Sequence, residues 1–228
     1  MRNNKQTLLV ALCTLLTYSA AMSQVDVTAL YLKNAGFDTN YDYKVGVTGN
    51  VTQEMLPVDG WINDYSVNYT IVGTYQVKTK KTFNGASVPT TNVDGTTEGG
   101  VLALSTGWSE SIKLYQNVSL PKGEYSIVTA YYNSGSVTAG NSLFGWIPSS
   151  GTSIMSTVSD FPIKKWTVDT LFVKLLTKRS GKIQIGMKAA DGGSGSSAKL
   201  SIDYIRIFSH TWDGSILTKK EDYKKMVL

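Results

Sequence analysis

An all-β protein of the sandwich or barrel type is predicted by three features of the chain. Thr, Ser, Val, Tyr and Gly dominate its 228 residues. Turn-forming clusters break it at short intervals, and several segments alternate apolar and polar residues with a period of two. Helical periodicity is nearly absent before "SILTKKEDYKKMVL" at the end.

The first element is a leader. Arg2 and Lys5 precede the apolar run "TLLVALCTLLTY", and "SAAMS" puts Ala21 and Ser23 at the minus-three and minus-one positions before Gln24. This is the pattern of a secretory signal peptide over residues 1–23. A membrane anchor would need an apolar span of roughly 20 residues. Cys13 does not suit a lipoprotein signal, because Leu12 stands where a small residue is required and the cysteine comes too early. As it is the only cysteine, the exported chain has no disulfides and no thiol chemistry. The remaining length, about 205 residues, is enough for one β domain with a substantial core. That domain is assigned to residues 24–210, with 211–228 as a tail or linker.

Within the domain, "VTALYL", "YSVNYTIVGTYQV" and "VLALS" read as strands. In "SIKLYQNVSL", Ile112, Leu114, Val118 and Leu120 point one way, and Lys113, Tyr115, Asn117 and Ser119 the other. Gln116 shares the inward parity and is expected to satisfy backbone groups near a sheet edge. Pro121 and Gly123 mark a hairpin into "EYSIVTAYYN". "TLFVKLL" buries Leu171, Val173 and Leu175, and "KIQIGMK" buries Ile183, Ile185 and Met187. "KVGVTGNVTQEMLPVDG", "FNGASVPTTNVDGTTEGG" and "IPSSGTSIMSTVSD" read as long connections, the usual seat of recognition on a rigid sandwich. In the tail, Ser215 caps a short amphipathic turn or the segment frays. No internal repeat is visible.

The net charge is +5, and two of those positives lie in the leader. The rest are scattered apart from "KTKK" and "TKKEDYKK". Nucleic-acid binding, which needs a continuous basic face with interleaved aromatics, is not indicated. No membrane span is expected in the exported chain.

Several ordered patterns carry a family resemblance. The chain opens with "DVTALYLKNAGFDTN" and reaches "DGW" at 59–61. It continues through "GWSESIKLYQNVSLPKGEYSIVTAYYN" and closes with "KLSIDYIRIF". Together these resemble the galactose-binding-like jelly-roll domains, and in particular the carbohydrate-binding modules of secreted Bacteroidetes polysaccharide-utilisation proteins. The resemblance spans nearly all of positions 25–208. It implies an antiparallel two-sheet sandwich of about eight or nine strands, with first and last strands adjacent. It also implies glycan binding beside a separate catalytic protein or domain, and location in the periplasm, at the cell surface or outside a Gram-negative cell. The long stretch between Asp38 and Trp61 departs from the family pattern.

The resemblance further implies a structural calcium, with Asp38 and Asp203 as ligands and carbonyls of "NAGFDTN" completing the shell. Calcium takes roughly six to eight oxygens. The residues themselves raise the question independently. In "LSIDYIRIF", Asp203 shares parity with Ile205 and Ile207 but not with Leu200 and Ile202. One set cannot be buried unless a bulge shifts the register or both faces are covered. An inward carboxylate is costly without a cation or donors. Without calcium, Asp38 caps a turn and Asp203 bonds to Lys199, Arg206 or backbone amides.

Sugar recognition needs aromatic faces together with amides and carboxylates. The 5 tryptophans and 13 tyrosines supply candidates. Trp146, flanked by Gly145 and Pro148, is the expected exposed platform. Trp108 and Glu110 come just before a strand, and Tyr132 with Asn133 ends another at a rim. Trp61 and Trp166 are assigned to core packing or sheet capping.

Catalysis has little support. His210 is the only histidine, and no G-x-S-x-G elbow accompanies it. Glu54, Asp59, Asp64, Glu98, Glu110 and Glu124 are stock for a paired-carboxylate mechanism only if two face each other across a sugar. The functional readings are therefore a glycan-binding module without catalysis, an adhesin or surface-assembly protein, and a jelly-roll lyase or glycosidase.

Overall fold

The computed structural model describes residues 24–39, 44–46, 58–65, 70–79, 82–83, 86–107, 111–135, 142–157, 164–188 and 197–210. The leader and the 211–228 tail lie outside them. Two antiparallel sheets pack face to face, as the jelly-roll expectation requires. The larger sheet contains β12 (Trp166–Leu175), β9 (Gly123–Gly135), β14 (Ser197–Ser209), β7 (Gly100–Gly107), β4 (Thr70–Gln76) and β2 (Lys44–Gly46), in that order. β1 (Val25–Asp26) pairs with the end of β14, Val25 opposite Ser209. The first and last strands are thus neighbours. The smaller sheet runs β11 (Ile154–Thr157), β10 (Ser142–Pro148), β13 (Arg179–Lys188), β8 (Ser111–Leu120) and β3 (Ile62–Tyr65). A two-residue ladder joins β5 (Thr82–Phe83) to β6 (Ala86–Ser87).

The core lies between the sheets. Ile112, Leu114, Val118 and Leu120 of β8 meet Ile183, Ile185 and Met187 of β13 and Leu171, Val173 and Leu175 of β12 in one buried cluster. The predicted inward sets are the observed ones. Each such side chain removed from water contributes about 1.5–3 kcal/mol. Gln116 is buried among them and bonds to backbone: it accepts the Lys33 N–H at 3.0 Å and donates to the Lys33 carbonyl at 2.7 Å. The backbone it satisfies belongs to the opening loop rather than to a sheet edge.

Four local expectations are corrected. "VTALYL" holds one helical turn, α1 (Thr28–Tyr31), instead of a strand. The chain leaves β1 there to close the end of the sandwich, and the Asp26 carboxylate accepts the Thr28 N–H at 2.9 Å. Val27 and Leu32, on either side of the turn, are buried in the core. "KVG" at 44–46 and "IMST" at 154–157 lie in predicted connections but form the edge strands β2 and β11. The segment from 88 to 100 is not a projecting loop. Val88 packs with Tyr75, Val77, Val101 and Ala103 in a second cluster on the outer face of the larger sheet, with Trp166 against it. Both faces of β4 and β7 are therefore covered.

Trp146 is the fourth correction. It lies in β10 with Phe144, and both face inward, Trp146 only 1% exposed. A Cβ at Gly181 would stand 2.8 Å from the indole, so the missing side chain there is what lets the ring enter the core. Trp61 is buried, as expected of a packing residue, and its ring lies 5.6 Å from that of Phe37.

Candidate functional site

The parity conflict in β14 is resolved by a β-bulge. Ile202 pairs with Tyr131 but Ile205 pairs with Thr129, so Asp203 and Tyr204 together stand opposite one residue of β9. The extra residue reverses the phase of the strand. Leu200, Ile202, Ile205 and Ile207 all reach the inter-sheet core, while Asp203 turns to the other face, under the 88–100 segment. There its carboxylate accepts the Val93 N–H at 2.8 Å. Asp38 accepts the Gly100 N–H at 2.7 Å. The two acids thus hold the two ends of one loop. The loop is braced internally: the Asp94 carboxylate accepts the Thr96 N–H at 2.9 Å, and the Asn92 amide donates to the Glu98 carbonyl. Gly99 passes against Asp38 at φ 94°, where a Cβ would approach the carboxylate to 3.0 Å. The Ala35 carbonyl accepts the Ile205 N–H at 2.9 Å, docking the opening loop onto the bulged strand.

The setting of Asp203 is electrostatically unfavourable for a charge. Burial, only partly offset by the Val93 hydrogen bond, pushes its pKa up to about 6, and Asp94 and Asp38 add to the rise while Arg206 opposes it. One residue before Val93, the Asn92 Oδ1 is buried with no hydrogen-bond partner among the described residues. Among the described residues no three His, Cys, Asp or Glu side chains group as metal ligands. The carboxylates of Asp38 and Asp203 and the Asn92 amide are oxygen donors of the type a hard cation takes.

The outer face of the smaller sheet has a different character. On β8, Tyr115, Asn117 and Ser119 point away from the core; on β13, Ser180, Lys182 and Gln184 do the same. Register places Tyr115 beside Gln184 and Asn117 beside Lys182. Ile147 of β10 continues the second row, opposite Lys182. A groove of about 490 Å³ opens here, with the amides of Asn117 and Gln184, the hydroxyls of Ser119 and Ser180, and an apolar wall of Ile147 and Pro148. The Lys182 ammonium sits over the Tyr115 ring, 4.0 Å from its centroid. Such a lining of planar amides and hydroxyls beside an apolar wall matches the two faces of a sugar ring.

The sugar residues expected from sequence do not converge. Trp146 presents no face to solvent. Tyr132 and Asn133 lie in the larger sheet and not at a rim. The Tyr132 ring packs edge-on against Trp166 at 5.4 Å, and Asn133 is 3% exposed, its carbonyl accepting the Lys164 N–H at 2.7 Å. Trp108 and Glu110 lie outside the described residues. Trp166, half-buried, donates its indole N–H to the Thr91 carbonyl at 2.9 Å and so pins the covering segment.

His210 is anchored rather than trailing. Its ring Nε2 meets the Ser126 hydroxyl at 2.6 Å, and its backbone N–H donates to the Glu124 carbonyl at 2.9 Å. Glu124 in turn pairs with Lys174 at 2.6 Å, and that ion pair lowers the pKa of Glu124 and raises that of Lys174. Ser126 is 3% exposed, too enclosed to meet a polymer. Nearby on β12, Val168 and Phe172 face solvent, Phe172 being 73% exposed. Among the described residues no helix is long and apolar enough to cross a membrane.

No family model matches the chain and no curated protein matches it. Solved structures are similar to it in fold. A family 61 carbohydrate-binding module in complex with β-1,4-galactotriose is 15% identical, covering 78% of this chain and 97% of that one, with a TM-score of 0.48. A structure of promiscuous carbohydrate-binding modules of the β-sandwich superfamily is 11% identical over 64% of this chain and 56% of that one, TM-score 0.42. A family 4 carbohydrate-binding module is 11% identical over 78% of this chain and 99% of that one, TM-score 0.38. The likeness is one of fold, between antiparallel β-sandwiches.

Proposed function

We propose that this chain is an exported glycan-binding module without catalytic activity, working beside a separate catalytic protein or domain, and that a polysaccharide binds along the groove of the smaller sheet. One observation carries the reading: Asn117, Gln184, Ser119 and Ser180 converge from two strands on an open groove with an apolar wall. The Ser126–His210 pair supports binding over hydrolysis, since its serine is enclosed. The test is a polysaccharide array probed with the purified protein and with an Asn117→Ala/Gln184→Ala variant. Binding that disappears in the variant at an unchanged melting temperature is the expected result. A variant that binds as the parent does would move the site elsewhere, and an array without signal would retire the glycan reading.

We also propose that Asp38 and Asp203 hold a calcium ion, with the Asn92 amide oxygen in reach. The orphaned Asn92 Oδ1 and the raised pKa of Asp203 support this, because a divalent cation would satisfy both. The ion's part is structural: it would tie the opening loop, the closing strand and the 88–100 segment together. A melting temperature that does not respond to calcium or to a chelator would count against it.

A further inference from the structure

The groove contains a feature that a neutral sugar does not need. Lys182 is its charged lining residue, and no Asp or Glu lines it among the described residues. The side chain folds back so that its ammonium rests on the Tyr115 ring at 4.0 Å. It makes no ion pair among the described residues. A second cation, Arg179, comes one residue before the lining Ser180, and its guanidinium donates to the Ser150 carbonyl at 2.6 Å, next to the lining Ser149. The described carboxylate on this sheet face is Asp64, which sits directly across from Lys113, one row beyond Tyr115. The groove is therefore locally cationic, with its charge held in place by an aromatic face.

We infer that the groove selects a glycan carrying an anionic group, a carboxylate or a sulfate, and that Lys182 is the residue that reads it. This rests on the groove being the glycan site. The ring of Tyr115 is occupied by the cation, so it orients the ammonium instead of stacking on a pyranose. Asn117, directly across the strand pair from Lys182, supplies a neutral donor within the same row, and Ser119 and Ser180 supply hydroxyls to the rest of the sugar. An ammonium half removed from water gains a counter-ion when such a ligand enters, and that gain is denied to an uncharged chain of the same shape.

The experiment measures affinity of the purified protein for polygalacturonate, for a sulfated galactan and for neutral β-1,4-galactan, each at low and high salt. Polygalacturonate and the sulfated chain separate the two anionic groups. Four proteins are compared: the parent, Lys182→Met, Lys182→Arg, and Lys165→Met, which removes the same charge from an exposed position at the foot of β12. The expected result is binding to at least one anionic chain that weakens about tenfold or more in Lys182→Met, the loss of one charge-assisted contact. Lys165→Met should bind as the parent does, and Lys182→Arg should retain most of the affinity and the parent's melting temperature. Salt should weaken the parent and have little effect on Lys182→Met. Tight binding of neutral galactan, insensitive to salt and to Lys182→Met, would overturn the inference and leave the glycan reading standing. Equal losses in Lys182→Met and Lys165→Met would also overturn it, as diffuse charge attraction. Binding to none of the three would strike at the glycan reading itself.

Discussion

The two sheets turn their outer faces to different uses. The larger sheet hides much of its outer face under the 88–100 segment, whose Val88 completes a second apolar cluster and whose Val93 and Gly100 amides are clamped by the carboxylates of Asp203 and Asp38. The smaller sheet leaves an open groove on its outer face, lined by amides, hydroxyls and one lysine. Alternation along the strands is the same in both. What differs is whether a neighbouring segment returns to cover the face, and that decides whether polar side chains become structural ties or line an open groove.

The comparison is broken most severely from the shared core. Trp146→Ala should cost about 3–5 kcal/mol, the range for deleting a buried large aromatic, seen as a drop in the denaturant midpoint. A stable protein that had only lost glycan binding would instead restore Trp146 as a surface platform. Next in size is the covering segment. Asp38→Ala leaves the Gly100 N–H without its acceptor and should cost about 1–3 kcal/mol, with faster amide exchange concentrated in 93–100; exchange spread evenly over the sheet would show that the clamp is not local.

Asp203 sharpens the contrast through pH. Its folded pKa, about 6, lies above the reference value of 3.8. Its contribution to stability is therefore fully present below the reference value and is lost as pH rises through the folded value. In the presence of a chelator, the parent should lose stability relative to Asp203→Asn between these two pH values, measured by urea unfolding. Added calcium should reverse that order near neutrality, and parallel curves for the two proteins would refute the assignment. The smallest stability effect belongs to the open face: Asn117→Ala should change stability by no more than about 0.5 kcal/mol while weakening binding on a polysaccharide gel.

Much of this architecture was legible in the residues. Period-two patterning identified the inward sets of β8, β12 and β13, and it also put Tyr115, Asn117 and Ser119 on a common outward face. That was the available signal for the groove. Its other half was not legible, because Lys182 and Gln184 join Asn117 and Tyr115 only through the register between β8 and β13, which no single strand encodes. Trp146 misled because Gly145 and Pro148 suggest a turn, whereas its parity with Phe144 points into the core, and the room for the indole is made by Gly181 on another strand. α1 was missed because one helical turn is too short to show a period. Asp203 posed the right question, and the sequence left a bulge and covered faces as alternatives where the strand has both; the position of the bulge depends on pairing with β9.

The bulge makes β14 two half-strands set in opposite phase and joined by a one-residue offset. Deleting Tyr204 would remove the extra residue and leave a regular strand, with Ile205 still opposite Thr129 and Leu200, Ile202, Ile205 and Ile207 all still facing the core. The strand next to the chain's opening segment thus accommodates the loss of this one residue, whereas a residue inserted or removed within either half would turn part of its apolar set outward. A frame-like constraint of this kind bears on spacing rather than on chemistry.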